Sequence, residues 1–130
     1  MDQATYDKGM QIRAQVLGDA YVQKATQNVD SFSGPLQDLV TEYCWGAVWG
    51  RDGLTLKTRS MLNLAMLAAL NRPQELATHI RGALANGVTR DEIREVFLQV
   101  AIYVGVPAAV DSFRIARSVL DDVDDSSEAK

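Results

Sequence analysis

His79 is the only histidine in the chain, and imidazole is the side chain whose ordinary pKa lets it give and take protons near neutral pH. It stands three residues after Leu76 and four before Ala83. That places it beside the inner stripe of a helix predicted from Leu76, Ile80, Ala83 and Leu84. A half-buried imidazole there suits general acid–base work; the position equally suits one that only bridges two helices by a hydrogen bond. Glu42 lies on another predicted helix, where a carboxylate can orient an imidazole, hold a proton or simply face solvent. Arg59, Arg72 and Arg81 cluster around the third and fourth predicted helices, and arginine presents a planar fork matched to carboxylates. Arg81 is about 200° around the helix from His79, so the two cannot face one cleft squarely. Trp45 and Trp49, four apart, share a helix face that could wall a pocket, anchor a subunit contact or pack in the core.

Other chemistries lack their residues. The single cysteine, Cys44, cannot form an internal disulfide or a Cys-x-x-Cys pair, and a lone cysteine on an apolar helix face is usually packing. One His, one Cys and scattered acids make no recognisable metal-ligand set. Gly46, Gly50 and Gly53 lack the strand, turn and lysine of a phosphate loop, and no Ser-His-Asp order is legible.

The elements that must position these residues read as helices throughout. The chain has 130 residues, 47% hydrophobic and 23% charged, a size and composition that bury a core without disulfides. Net charge is −4, which argues against nucleic acid as a partner. Five of the seventeen acids fall within residues 121–128, so the remainder is near neutral and leaves room for a cationic pocket. No signal peptide is visible at Met1-Asp2-Gln3-Ala4, and the apolar run Met61 to Leu70 is too short to cross a bilayer. A soluble, cytoplasmic protein is expected.

Helical spacing runs from about Ala4 to Gln27, weakened at Gly9 and Gly18. After the break at Ser31–Pro35 it resumes and ends at Arg51-Asp52-Gly53. Thr55 can cap a third helix to about Leu70, whose apolar second half predicts burial on most sides. Pro73 opens the fourth and Gly87 closes it. Thr89 and Glu92 form a capping box for the fifth. Gly105-Val106-Pro107 precedes the last, which ends near Leu120. No alternating strand pattern occurs. The expectation is an all-α domain of five to six helices over residues 1–120, with an acidic, frayed tail at 121–130.

Three stretches resemble the carboxymuconolactone decarboxylase family: Glu42-Tyr43-Cys44-Trp45-Gly46-Ala47-Val48-Trp49 with Arg51-Asp52-Gly53-Leu54 and Lys57-Thr58-Arg59-Ser60; His79 through Thr89; and Glu95 through Ala109. The resemblance extends from about Met10 to Val119. A sister branch, the thiol peroxidases of the alkylhydroperoxidase D type, carries Cys-x-x-Cys-x-x-x-His. His79 matches that histidine, but the cysteine positions hold Arg72 and Glu75, so disulfide-based peroxidase chemistry is not expected.

The resemblance implies an orthogonal or antiparallel helix bundle of the alkylhydroperoxidase D-like type, assembled as a homotrimer or homohexamer. It implies cofactor-free decarboxylation of 4-carboxymuconolactone to the β-ketoadipate enol-lactone, in aromatic catabolism. His79 is then the proton donor or the hydrogen-bond donor to the dienolate, and Glu42 an orienting or relay group. Arg59 is the first choice for holding a carboxylate, with Arg51 and Arg81 as alternatives. Trp45, Trp49, Leu62 and Met66 would exclude water. The alternatives are a member acting on another lactone or β-keto acid, and a thiol-dependent or non-catalytic member.

Overall fold

The computed structural model describes the backbone of residues 1–128 and the side chains of residues 1–126. Among these residues it is all-α, with no strand: α1 (Gln3–Leu17), α2 (Asp19–Gln27), α3 (Gly34–Leu39), a π-helical segment (Val40–Val48) continuing α3, α4 (Leu56–Ala69), α5 (Pro73–Ala85), α6 (Arg90–Tyr103) and α7 (Val106–Glu128). The all-α class is as expected, with seven α-helices where five or six were predicted. The extra one arises at Gly18, whose φ of +91° suits glycine and splits the first predicted helix into α1 and α2.

The chain forms two compact units, Met1–Leu56 and Lys57 onward. In the first, α1 starts with Asp2 as N-cap, its carboxylate accepting from the Ala4 N–H. α1 and the π-helical segment meet backbone to backbone. A Cβ added at Gly9 would overlap the Thr41 carbonyl oxygen, and one at Gly46 would overlap the Thr5 carbonyl oxygen. The core here is small: Val16, Trp45 and Trp49, flanked by Ile12, Leu17, Val40 and Leu56.

The second unit has a larger aliphatic core. Leu64 and Ala68 of α4, Leu76, Ile80 and Ala83 of α5, Ile93, Phe97 and Val100 of α6, and Ala116 and Val119 of α7 contribute to it. Phe97 meets Phe113 edge to face, ring centres 5.8 Å apart. Local signals agree with the packing. The capping box of Thr89 and Glu92 is formed, Pro73 opens α5, and Gly87 has a φ of +89°.

Two expectations are corrected. Residues 121–128, expected to fray, continue α7 as helix. There Asp122 pairs with Arg81 at 3.1 Å and Asp124 pairs with Arg90, so the acids meet cations of α5 and α6. Residues 129–130 of that tail lie outside the described residues. The apolar half of α4 is not covered on most sides: Leu62, Met66 and Leu70 recur every four residues along one exposed flank. Among the described residues, no helix is long and apolar enough to cross a membrane.

Candidate active site

The residues singled out in the sequence fall in both units. Glu42, Trp45, Trp49 and Arg51 belong to the first, Arg59, His79 and Arg81 to the second.

In the first unit the π-helical segment carries the site candidates. Its wider turn is marked by the Trp49 N–H donating to the Cys44 carbonyl oxygen at 2.9 Å, a bond spanning five residues. Such segments occur often at functional sites because they re-aim side chains that a regular helix would stack. Trp45 and Trp49 are stacked, 4.6 Å between ring centres and 29° between planes, and both are buried in the core. Glu42 is half-buried and accepts the Asp2 backbone N–H at 3.3 Å.

Trp49 and Arg51 come together in an open pocket of about 410 Å³, also lined by Lys8, Ile12, Asp52 and Leu54. Glu42 and Trp45 do not line it. Cys44 is an exposed residue, yet the side chains around its sulfur push the thiol pKa up, and the positive charge of Arg13 only partly offsets this. A disfavoured thiolate fits packing better than nucleophilic work.

In the second unit His79 of α5 faces Asn63 of α4, with Asn63 Nδ2 3.5 Å from His79 Nδ1. An amide NH2 only donates, so this long contact makes Nδ1 the acceptor and puts the proton of the neutral ring on Nε2. Burial lowers the His79 pKa from its ordinary 6.5, and the carboxylate of Glu75, one turn earlier, pulls weakly the other way. The imidazole is therefore mainly neutral at pH 7, a form that donates a hydrogen bond through Nε2–H.

Arg59 lies four residues before Asn63 on α4 and is half-buried, so the two share a helix face. Arg81 sits on the outer side of α5 with its side chain half exposed and paired with Asp122, which agrees with the angular separation from His79 expected above. A cavity of about 390 Å³ in this unit is lined by Leu67, Asn71, Arg72, Leu76, Ser112 and Arg114 among others, and His79 is not part of its wall. Among the described residues, no group of three His, Cys, Asp or Glu side chains is placed to hold a metal ion.

Sequence reasoning passed over Asn63 and Arg13. Asn63 is the only polar residue between Met61 and Leu70, and an amide in an otherwise apolar helix half signals a partner across the interface. Arg13 falls on the buried stripe of α1 with Gly9 and Val16, four and three residues away, so helical periodicity alone pointed inward.

Comparison with known proteins gives the family of this all-α chain. A carboxymuconolactone decarboxylase family profile matches residues 34–118, and the chain belongs to that family. It is 41% identical over 125 residues to the nitrosuccinic acid decarboxylase of Metarhizium robertsii, covering 96% of this chain and 87% of that one. It is 37% identical over 122 residues to the 4-carboxymuconolactone decarboxylase of Acinetobacter baylyi, covering 94% and 91%.

Proposed function

We propose that the protein is a carboxy-lyase that removes CO2 from a small acid carrying a second carboxylate, with 4-carboxymuconolactone as substrate and no cofactor. Family membership supports the reaction class. The observation that carries the site is the desolvated imidazole of His79, held through Nδ1 by Asn63.

Breaking the bond to the departing carboxylate leaves an electron pair on carbon. In 4-carboxymuconolactone that pair flows through the ring C=C into the lactone carbonyl, and a proton then returns to ring carbon. The substrate contains its own electron sink, so the protein has only to stabilise the growing negative charge and deliver the proton. His79 Nε2–H donates to the developing oxyanion, as a neutral donor whose low pKa comes from burial. Arg59, in the same unit as His79, holds a carboxylate; Glu42 as an orienting or relay group and Arg51 beside Trp49 as a cation are the candidates of the first unit. Self-association as a homotrimer or homohexamer belongs to this reading. It is supported by the exposed apolar side chains of Leu62, Met66 and Leu70 on α4 and of Ile102 and Tyr103 on α6.

A second reading is favoured by the similarity to the nitrosuccinic acid decarboxylase. In nitrosuccinate the nitro group is the built-in sink for the carboxylate on the same carbon, and the other carboxylate is kept. The two substrates ask the same two tasks of the protein: to stabilise the growing negative charge and to return a proton to carbon.

The test is CO2 release from each acid by wild type and by His79→Ala. The variant is expected to lose about 10²–10⁴-fold in kcat, the usual worth of such a group. Near-full activity in the variant would remove His79 from the chemistry, and release from neither acid by folded wild type would end the decarboxylase reading. The pH profile gives the protonation state. A neutral donor predicts kcat that is level through pH 7 and falls only below the depressed His79 pKa; an imidazolium acid predicts the reverse slope. Stability follows the same sign: as pH falls through about 6.5 the unfolded chain takes up a proton that the folded chain resists, so wild type loses stability there and His79→Gln does not.

A further inference from the structure

One cavity of the second unit stands apart from His79, which is not among its lining residues. Its volume of about 390 Å³ falls within the usual span of small-molecule sites, about 300–1,000 Å³. It lies among α4, the start of α5 and α7, all of them after Leu56. Exposure divides its lining into a floor and a mouth. Ala68, Leu76 and Ser112 are buried, and Leu67, Ala108 and Ile115 are half-buried. Floor and walls are thus apolar except for one hydroxyl. That hydroxyl donates to the Ala108 carbonyl oxygen at 2.8 Å, which leaves it no proton to offer a ligand.

The mouth is charged. Asn71, Arg72, Asp111 and Arg114 line it and are exposed. Arg114 pairs with Asp111 at 2.8 Å, both side chains more than half exposed, so the pair is weak and part of the guanidinium fork is left over. Arg72 forms no ion pair with any described carboxylate. Its backbone is nevertheless held between two helices. Asn71 ends α4 at a φ of +57°, which asparagine tolerates, and Pro73 opens α5 directly afterwards. Two cations against one carboxylate leave the mouth one positive charge in excess. A single negative charge balances it and a second overshoots. An apolar group seated on the floor leaves water together with the side chains beneath it.

We propose that this cavity is a second ligand site, for a monocarboxylate with an apolar body. The body is buried against Leu67, Leu76 and Ile115, and the carboxylate stays at the mouth, where Arg72 donates to it and Arg114 adds its charge. The site asks for the opposite of the substrates considered above, each of which carries two carboxylates. A second carboxylate would have to enter an apolar floor whose one hydroxyl is spent, or crowd Asp111. The proposal does not depend on the decarboxylase reading: it describes the binding of a small acid that the chain does not decarboxylate.

Benzoate is the probe. Benzyl alcohol supplies the ring without the charge, acetate the charge without the ring, and terephthalate the ring with a second charge at its far end. Binding to the full chain is followed by ligand-observed NMR at constant ionic strength. Benzoate is expected to bind about 10-fold or more tightly than each of the other three, because each lacks the charge-assisted bond or the buried apolar area, or brings a carboxylate to the floor. Arg72→Gln, at an exposed position, should weaken benzoate about 10-fold, the worth of a hydrogen bond to a charged group. Ala108→Leu, which takes up space in the cavity wall, should abolish its binding. Undiminished benzoate binding in either folded variant overturns the proposal, as does the absence of benzoate binding to wild type, or any of the other three binding as tightly. Benzoate binding that is lost in His79→Ala and kept in Arg72→Gln overturns it too, by assigning the acid to the candidate active site. If wild type decarboxylates neither acid considered above while benzoate binding still depends on Arg72, the second site stands and the decarboxylase reading falls.

Discussion

The two units of this chain solve the burial problem in opposite ways. The second unit stacks branched and aromatic side chains from four helices around Phe97, which is fully buried. The first has only Val16, Trp45 and Trp49 as its buried cluster. It relies on the close approach of α1 and the π-helical segment through Gly9 and Gly46, and it buries a charged side chain, Arg13, beside them. Where apolar volume is plentiful, contact between side chains is enough. Where it is scarce, backbones must touch, and the helix that accommodates the touch adopts a π-helical turn. The same unit has polar groups inside, Arg13 and Thr41, joined to one another by a hydrogen bond. In the larger unit the fully buried polar residues are the two small hydroxyls of Ser60 and Ser112, and the amide of Asn63 is set opposite His79.

The largest expected effect tests the conventional unit. Phe97→Ala should cost about 3–5 kcal/mol in denaturant unfolding, the range for removing a fully buried ring. A loss below half of that would mean that α6 and α7 collapse readily into the space, and that the core is less tightly packed than the Phe97–Phe113 contact suggests. Next comes Gly9→Ala. The obstacle to its methyl group is the Thr41 carbonyl, not a side chain that can turn away, so the cost should reach about 3 kcal/mol, the upper end of overpacking. Gly53→Ala, which meets nothing within 4 Å, is its control, and equal effects at both positions would remove the backbone-contact account of the first unit. The smallest effect belongs to local chemistry: Thr89→Ala should cost about 1 kcal/mol by opening the capping box of α6, and an unchanged midpoint would show that tertiary packing alone starts that helix.

Most of the fold was legible because its signals are local. Apolar spacing at three and four residues, Pro73 at a helix start, Gly87 at a helix end and the Thr89–Glu92 pair are each read within one turn of chain, and each is formed where expected. Gly18 was read as a weak point in a helix and is instead a break, since nothing in a single turn says whether a glycine will adopt a positive φ. The acidic run after Leu120 was read as frayed from its composition; Arg81 and Arg90, distant in sequence, supply the cations that meet it as helix.

His79 stood out in the sequence by its uniqueness, and its place beside an inner stripe follows from helical geometry alone. That its ring is desolvated, and that Asn63 sets its tautomer, depends on α4 packing against α5. Periodicity turns Arg13 inward, but only the packing of α1 on the π-helical segment supplies Gln37 and Thr41 to hold it and no carboxylate to neutralise it. The sequence by itself determined the helices, their ends and the kinds of side chain available for chemistry, because these follow from backbone sterics and hydrogen bonds over a few residues. Only the tertiary structure decided which of those side chains are desolvated and which are paired, because each of these depends on residues brought together from separate helices.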